Sequence, residues 1–220
     1  MPLFYQHNIN EDTKLGVWRI EEPEDFFLRS VPLKRDVSHP FKRRQHLAGR
    51  YLLPILFEDF PLEEILIADT RKPFLADEMY HFSISHCGAF AAALVSRTQR
   101  VGVDIEVVSP RIQQISRKFV HSHEEDFLNE DYKDFLAQWG LQEKVNSEFL
   151  TLIWSAKEAI YKWHGKGQLD FKENMQLSGA ITFQENEWMQ LPFVFFKDEI
   201  IPLTVHGKLF DDLVLAWVMT

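Results

Sequence analysis

The sequence VGVDIEVV at residues 101–108 constrains the fold most, because it places two acidic side chains in an otherwise apolar strand. Successive side chains of a strand point to opposite faces, so Asp104 and Glu106 share one face of it. Two adjacent carboxylates repel each other unless a positive group lies between them. One interpretation is an edge strand with a solvated acidic face. The other is a site that cations or further carboxylates complete.

The composition limits the class of protein. The chain has 220 residues, 45% hydrophobic and 26% charged, as expected for a globular protein of one domain or two small ones. The sequence contains no uninterrupted run of about 18 apolar residues, so it predicts no membrane span. The first residues do not resemble a signal peptide. A single cysteine, Cys87, excludes an internal disulfide and favours a reducing compartment. The sequence therefore predicts a cytoplasmic protein without membrane contact.

The charges are unevenly distributed. A net charge of −9 argues against general nucleic-acid binding, although a local basic patch can still hold phosphates. Basic side chains cluster early, at Lys34, Arg35, Lys42, Arg43, Arg44 and Arg50, and acidic ones later, at Glu124, Glu125, Asp126, Glu130, Asp131 and Asp134.

In the first half, the pattern predicts strands at residues 15–20 and 65–68 and an acidic helical turn at 24–28. A helix is predicted over 39–57, with Ala48, Tyr51, Leu52 and Ile55 at the spacing of a buried stripe. Strands at 81–86, 89–96 and 101–108 are predicted to form a three-stranded antiparallel meander.

In the second half, residues 112–120 have a helical pattern, and Ser122 to Glu125 matches a capping box that starts another helix. A long helix is predicted over 147–164, ended by Gly165 and Gly167. Strands follow at 180–183, 193–196, 201–205 and 213–218. Each half thus combines one long helix with a small antiparallel sheet. We therefore predict an α+β fold of two halves, 1–103 and 104–220.

A third carboxylate, Glu158 on the long helix, completes a donor set if the helix lies over the acidic strand. Three carboxylates with room for water and phosphates suit Mg²⁺ better than zinc. Four cations are candidates for holding phosphate oxygens, namely Arg44, Arg50, Lys72 and Lys162. This combination predicts a metal-assisted phosphoryl or phosphodiester site.

Each candidate also has an ordinary explanation. Glu158 and Lys162 stand four apart and can form a surface ion pair. Lys72 precedes a proline and can be a turn residue, and a histidine such as His86 at a strand end is commonly satisfied by the backbone. The combination, rather than any single residue, favours a site.

Two sequences together carry a family resemblance: VGVDIE at 101–106 and WSAKEAIYK at 154–162. They resemble the paired signature of the 4′-phosphopantetheinyl transferases. The pieces AGR at 48–50, RKPF at 71–74 and FSISH at 82–86 also resemble elements of that family, in the family's order. Arg71 stands where the family usually has glycine.

The resemblance implies a monomer of two similar α+β halves related by pseudo-twofold symmetry, a pseudo-dimer with coenzyme A between the halves. The half at 1–103 would bind the phosphates of coenzyme A, and the half at 104–220 would bind Mg²⁺ and the carrier protein. The implied reaction transfers 4′-phosphopantetheine from coenzyme A to a serine hydroxyl of an apo acyl or peptidyl carrier protein. Adenosine 3′,5′-bisphosphate is released.

The resemblance also implies roles for individual residues. Asp104, Glu106 and Glu158 would bind Mg²⁺, Glu158 would also serve as the base, and Lys162 would steady the pyrophosphate. The phosphates of coenzyme A would be contacted by Ser85, His86 and Lys72, with His86 at the 3′-phosphate, and by Arg44 and Arg50.

The carrier-binding surface is predicted to include Ile115, Lys118, Phe119 and Val120, with core packing as the alternative for Phe119. Two other functions fit the same residues. One is a Mg²⁺-dependent nucleotide or coenzyme A pyrophosphatase that uses water as the nucleophile. The other is a non-catalytic protein that binds coenzyme A or a carrier protein.

Overall fold

The computed structural model describes residues 3–33, 37–124, 146–184 and 187–220. The chain folds into two compact units. The first unit contains Met1–Ile105, Lys162–Lys166 and Met219–Thr220, and the second contains Glu106–Tyr161 and Gly167–Val218. The two units are therefore interleaved along the sequence.

The first part of the chain forms, in order, β1 (Leu3–Asn8), β2 (Thr13–Arg19), α1 (Glu24–Leu28), α2 (Pro40–Leu56), β3 (Leu66–Ile67), β4 (Pro73–Phe74), β5 (His81–Cys87), β6 (Phe90–Ser96) and β7 (Val101–Val107). A 3₁₀ turn at Leu62–Glu64 precedes β3. The second part forms α3 (Ile112–Ile115), a 3₁₀ turn at Ser116–Lys118, α4 (Asn146–His164), β8 (Met175–Leu177), β9 (Thr182–Phe183), β10 (Met189–Phe196), β11 (Ile200–Phe210) and β12 (Leu213–Met219).

The first unit contains a four-stranded antiparallel sheet in the order β1-β2-β6-β5. The predicted pairing of residues 81–86 with 89–96 is confirmed by the antiparallel pair β5 and β6. The predicted meander is wrong in its third strand, because β2 occupies the other side of β6 and β7 joins the second sheet. Once β2 pairs with β6 from Thr13 to Arg19, that edge of β6 has no open hydrogen-bonding groups for β7.

Helix α2 confirms the helix predicted over residues 39–57, with Pro40 in the first helical turn. Its buried face includes Ala48 and Leu52, as predicted, but Ile55 is 36% exposed, so the predicted stripe is wrong there. The face that packs in the core runs instead through Leu53 and Leu56. The helix also continues for two residues beyond Pro54, because a proline removes only its own N–H from the hydrogen-bonding ladder.

A glycine allows α2 to lie close to the sheet. A Cβ atom on Gly49 would come within 2.5 Å of Cγ2 of Ile84 on β5. That separation is far shorter than a van der Waals contact, so this helix position accepts a side chain only if Ile84 shifts.

Helix α4 confirms the long helix predicted over 147–164; its residues up to Tyr161 belong to the second unit and those from Lys162 to the first. Its residues Leu152, Ile153, Ala156 and Ile160 are fully buried. The second sheet has the order β7-β12-β11-β10-β8, and β9 pairs with β10. All four strands predicted after Gly167 are present, and two of them, β10 and β11, are considerably longer than predicted.

The predicted fold class is confirmed, since helices and antiparallel sheets combine in the described residues. The assignment of functions to residues 1–103 and 104–220 stays a prediction. Lys34, Arg35 and the acidic run from Glu125 onward lie outside the described residues, as does the predicted capping box, which needs Glu125. Among the described helices, none is both long enough and apolar enough to cross a membrane.

Candidate functional site

Three of the predicted site residues meet in the first unit. The ammonium of Lys162 donates hydrogen bonds to Oδ1 of Asp104 at 2.6 Å and to the hydroxyl oxygen of Ser85 at 2.7 Å. The Ser85 hydroxyl in turn donates to the same Oδ1 at 2.8 Å. Strands β5 and β7 and the end of α4 therefore supply one polar cluster, which we call the Lys162 cluster.

Alternation along β5 explains how Ser85 reaches this cluster. Ser83 and Ser85 lie two residues apart and share one face of the strand. The Ser83 hydroxyl accepts the backbone N–H of Val103 at 3.1 Å, and this bond fixes β5 beside β7. Both serines are buried, so their hydroxyls serve the protein interior rather than solvent.

The electrostatics of the Lys162 cluster depend on burial. The Asp104 side chain is only 3% exposed, whereas that of Lys162 is 24% exposed. A buried carboxylate is costly without a positive partner, so Lys162 compensates the charge of Asp104. An ammonium has three N–H donors, and the cluster uses two of them. Within the part of the chain that the structure describes, the third donor has no protein acceptor and can meet an oxygen of a bound molecule.

Lys72 lies beside the same helix end. Its ammonium donates to the backbone carbonyl of Lys162 at 2.6 Å and, more weakly, to that of Trp163 at 3.4 Å. Burial, with a smaller contribution from the guanidinium of Arg100, lowers the pKa of Lys72 to about 8. The predicted contact of Lys72 with a phosphate stays a prediction.

Arg71 precedes Lys72 with φ = 67°, in the left-handed region that favours glycine. Glycine is the residue that the family resemblance leads one to expect there. The turn before Lys72 therefore keeps the backbone conformation that a glycine would adopt, despite the change of residue.

A cavity of about 270 Å³ in the first unit adjoins Lys72. Arg100, which the sequence reasoning did not select, also lines it. The guanidinium of Arg100 lies 5.5 Å from the ring centre of Trp163, and its backbone pairs with that of Thr220. Its position directly before the acidic strand was the only signal for it in the sequence.

The other predicted coenzyme A contacts lie on β5 and α2. His86 lies near the end of β5 and keeps some contact with solvent. Its pKa is lowered, chiefly because neighbouring groups displace water from the ring and further because the ammonium of Lys162 is nearby. Arg50 donates to Nδ1 of His46 at 3.1 Å, with the imidazole as acceptor. The Arg44 guanidinium lies 5.8 Å from the ring centre of Phe41. These contacts do not test the predicted role in phosphate binding.

The three predicted metal ligands divide between the units. Asp104 belongs to the first unit, and Glu106 and Glu158 belong to the second. Within the described ranges, no group of three or more His, Cys, Asp or Glu side chains is arranged to hold a metal ion. Carboxylate oxygens are nevertheless the donors that Mg²⁺ prefers, so the chemistry of these residues fits that ion. The metal assignment stays a prediction.

A buried ion pair in the second unit was missed by the sequence reasoning. Lys157 and Glu124 are both fully buried, and their charged groups are 2.8 Å apart. The Lys157 ammonium also donates to the carbonyl of Phe119, and the Glu124 carboxylate accepts the backbone N–H groups of His121 and Leu177, each at 2.6 Å. Glu124 therefore joins α4, the segment after α3 and β8.

The predicted carrier-binding surface is partly wrong. Phe119 is fully buried and Val120 is 7% exposed, so both belong to the core. Packing against Trp154 of α4, with ring centres 5.2 Å apart, explains the burial of Phe119. Ile115 and Lys118 retain accessible surface.

Comparison with known proteins identifies the family. The family model described as the 4′-phosphopantetheinyl transferase superfamily matches residues 100–218, more than half of the chain. The chain therefore belongs to the 4′-phosphopantetheinyl transferase superfamily, and the resemblance noted in the sequence is confirmed.

Several relatives are similar over much of the chain. Enterobactin synthase component D of Escherichia coli O157:H7 is 28% identical over 189 residues, which cover 84% of this chain and 82% of the relative. The 4′-phosphopantetheinyl transferase Sfp of Bacillus subtilis (strain 168) is 31% identical over 157 residues, 67% of this chain and 65% of the relative. The 4′-phosphopantetheinyl transferase AcpT of Escherichia coli (strain K12) is 33% identical over 127 residues, covering 56% and 59%.

Proposed function

We propose that the protein is a Mg²⁺-dependent 4′-phosphopantetheinyl transferase. It moves the 4′-phosphopantetheine group of coenzyme A to a serine hydroxyl of an apo acyl or peptidyl carrier protein and releases adenosine 3′,5′-bisphosphate. Membership of the transferase superfamily supports the reaction class. The observation that carries the proposal is the Lys162 cluster, because it unites both signature sequences of the family through one ammonium.

Lys162 is proposed to bind the pyrophosphate of coenzyme A. Its ammonium is oriented by Asp104 and Ser85, and no other described residue accepts its third N–H donor. A fixed ammonium stabilises the negative charge that develops on the leaving phosphate oxygens without having to reorient during the reaction. His86, Arg44 and Arg50 are proposed to contact the remaining phosphates.

Asp104 is proposed to act in two ways. It holds Lys162 in position, and with Glu106 and Glu158 it supplies the carboxylates that would hold Mg²⁺. When bound, Mg²⁺ would neutralise charge on the pyrophosphate. Glu158 is further proposed to accept the proton of the attacking serine hydroxyl, directly or through water. In that scheme the serine oxygen attacks the β-phosphorus of the pyrophosphate, and the bridging oxygen leaves with the α-phosphate on adenosine 3′,5′-bisphosphate.

We further propose that the protein is cytoplasmic and acts as a monomer of the two-halved type, without nucleic acid or membrane partners. The net charge of −9 supports the exclusion of nucleic acid. The single cysteine supports a reducing compartment.

The test is incubation of the protein with coenzyme A, Mg²⁺ and a panel of apo carrier proteins, followed by mass spectrometry of each carrier. The expected result is a mass gain equal to one phosphopantetheine group on at least one carrier. Asp104→Ala and Lys162→Ala are expected to abolish that gain, and circular dichroism establishes whether each variant is folded. Undiminished transfer by either folded variant would contradict the assigned role.

Lys197→Ala serves as the matched control. Lys197 is an exposed lysine whose ammonium also donates to backbone carbonyls, those of Gly167 and Gln168 at 3.2 and 3.1 Å. It lies outside the proposed site, so transfer should persist. Hydrolysis of coenzyme A without a mass gain on any carrier would identify a pyrophosphatase instead. Binding of coenzyme A without either reaction would identify a non-catalytic protein.

A further inference from the structure

The last turn of α4 is held by the connection between β3 and β4. The ammonium of Lys72 donates to the carbonyls of Lys162 and Trp163. The hydroxyl of Thr70 donates to the carbonyl of Gly165 at 3.0 Å. We call Thr70, Lys72 and Gly165 the α4 clamp. All three residues belong to the first unit, as does Lys162.

The clamp satisfies groups that a helix end leaves open. The last four carbonyls of an α-helix have no partner within the helix, and their partial negative charge attracts cations. Lys72 supplies both a donor and a positive charge at that position. The hairpin that carries it is closed by backbone bonds in which Ala68 N–H donates to Lys72 O at 2.9 Å and Arg71 N–H donates to Ala68 O at 2.8 Å.

Gly165 makes room for the lysine. It has φ = 72°, which a glycine adopts without strain, and it ends the helix in the left-handed conformation. A Cβ atom at this position would lie 2.6 Å from Cδ and 2.8 Å from Nζ of Lys72. The lysine side chain therefore occupies the space that a side chain on residue 165 would need.

Hydrogen bonds consequently hold both the backbone and the side-chain ammonium of Lys162. Its carbonyl accepts the ammonium of Lys72, and its own ammonium is bonded to Asp104 and Ser85. The clamp fixes the backbone from which the Lys162 side chain extends toward the carboxylate. A small displacement of that backbone moves the ammonium away from its two partners.

We propose that Lys72 is a positioning residue, which acts on the reaction by fixing the end of α4 and thereby the ammonium of Lys162. This inference rests on the proposed transferase function. It replaces the predicted contact between Lys72 and a phosphate of coenzyme A with a contact between Lys72 and the helix backbone. The two roles make different predictions.

The test compares wild type with Lys72→Met and Lys72→Arg in steady-state transfer assays. Loss of the clamp should lower kcat about 10- to 100-fold in Lys72→Met, since displacements near 1 Å have effects of that size. The KM for coenzyme A should change less than about threefold, well below the effect of losing a direct phosphate contact. Lys72→Arg retains N–H donors for the carbonyls and should recover most of kcat.

Dephospho-coenzyme A separates the two roles further, because it lacks the 3′-phosphate. If Lys72 positions Lys162, the loss in Lys72→Met is equal with both substrates. A loss in kcat/KM that appears with coenzyme A and disappears with dephospho-coenzyme A would overturn the proposal, as would a raised KM with an unchanged kcat.

Amide hydrogen exchange provides a readout that does not need turnover. Lys72→Met should accelerate exchange at residues 162–165 about tenfold or more, because the last turn opens more often. Thr70→Val should produce a smaller effect at the same amides. Lys197→Met, which removes a lysine bonded to the carbonyls of Gly167 and Gln168, should leave residues 162–165 unaffected. Unchanged exchange in Lys72→Met would overturn the proposal.

The two hypotheses can fail separately. If the wild-type protein transfers nothing to any carrier, the proposed function fails, and the exchange experiment still decides whether Lys72 fixes the helix end. If the wild type is active and Lys72→Met retains full kcat, the positioning role fails and the transferase function stands.

Discussion

Replacing Glu124 with glutamine is expected to lower the free energy of unfolding by about 3–5 kcal/mol, the range for breaking a buried ion pair by removing one partner. Lys157 would lose the carboxylate 2.8 Å from its ammonium, although both side chains are fully buried. The new amide group would also turn a donor toward the backbone N–H of His121 or Leu177, each of which now has a carboxylate acceptor. An unsatisfied buried donor costs about 1–3 kcal/mol.

The ability of Lys157 to release its proton sets an upper bound on this loss of unfolding free energy. Burial lowers the pKa of Lys157 even with Glu124 present, so the charged form is already disfavoured. Without Glu124, the lysine can escape the penalty by releasing its proton. From an ordinary pKa of 10.5, this costs about 1.4 kcal/mol per pH unit, or about 5 kcal/mol at pH 7. The loss should shrink as pH rises toward 10.5, because the unfolded state then also releases that proton.

Urea unfolding at pH 7 and 9.5 measures this loss of unfolding free energy and its pH dependence. The proteins compared are wild type, Glu124→Gln, Lys157→Met and the double variant. The double variant should be less destabilised than the sum of the two single variants, because each removes the other's partner. Arg19→Ala is the matched control, since Arg19 and Glu21 form an exposed ion pair at 3.1 Å worth about 0–1 kcal/mol. A loss below about 1 kcal/mol in Glu124→Gln, or strict additivity, would refute the reasoning.

Three further predictions concern the first unit. Gly49→Ala should destabilise this unit by about 1–3 kcal/mol, because the new Cβ meets Ile84, and this outweighs the better helix propensity of alanine. Thermal unfolding measures the loss. Adding Ile84→Ala to the Gly49→Ala variant should restore much of the lost stability. Arg71→Gly should raise stability by up to about 1 kcal/mol by relieving the positive φ, and an unchanged or lower denaturation midpoint would contradict this. Lys72 has a folded-state pKa near 8 against 10.5 when unfolded, so the unfolded state binds more protons between these values. Wild type should therefore gain stability relative to Lys72→Met as pH rises from 8 to 10.5, and parallel pH profiles would rule this out.

The sequence was most informative where a pattern is local. Helix α2 and strands β5 and β6 follow from the spacing of their apolar residues, and both family signatures are contiguous. The partner of a strand is not a local property, so the apolar pattern of β7 does not show that it pairs with β12. The sequence does not predict strand β1, because the strand includes the polar residues Gln6, His7 and Asn8 and none of its residues is buried.

The same distinction applies to the site. Asp104 and Lys162 belong to separate signatures, and their contact spans 58 positions in the chain. The contact between Lys72 and the end of α4 cannot be predicted from the sequence. A lysine before a proline has the same local sequence whether its ammonium binds a phosphate or the carbonyls of a helix end. The pairing of Lys157 with Glu124 depends on the tertiary arrangement across 33 positions. A lysine within a helical pattern ordinarily indicates a solvated face.

The interleaving of the two units limits how the protein can be dissected. A fragment ending at Ile105 would contain the Lys72 hairpin but not residues 162–166, so it would lose the helix end that this hairpin holds. A fragment beginning at Glu106 would keep Lys162 without Asp104 or Ser85. A cut between Ile105 and Glu106 therefore separates the Lys162 ammonium from its carboxylate partner Asp104, so neither of the two resulting fragments should form the Lys162 cluster by itself.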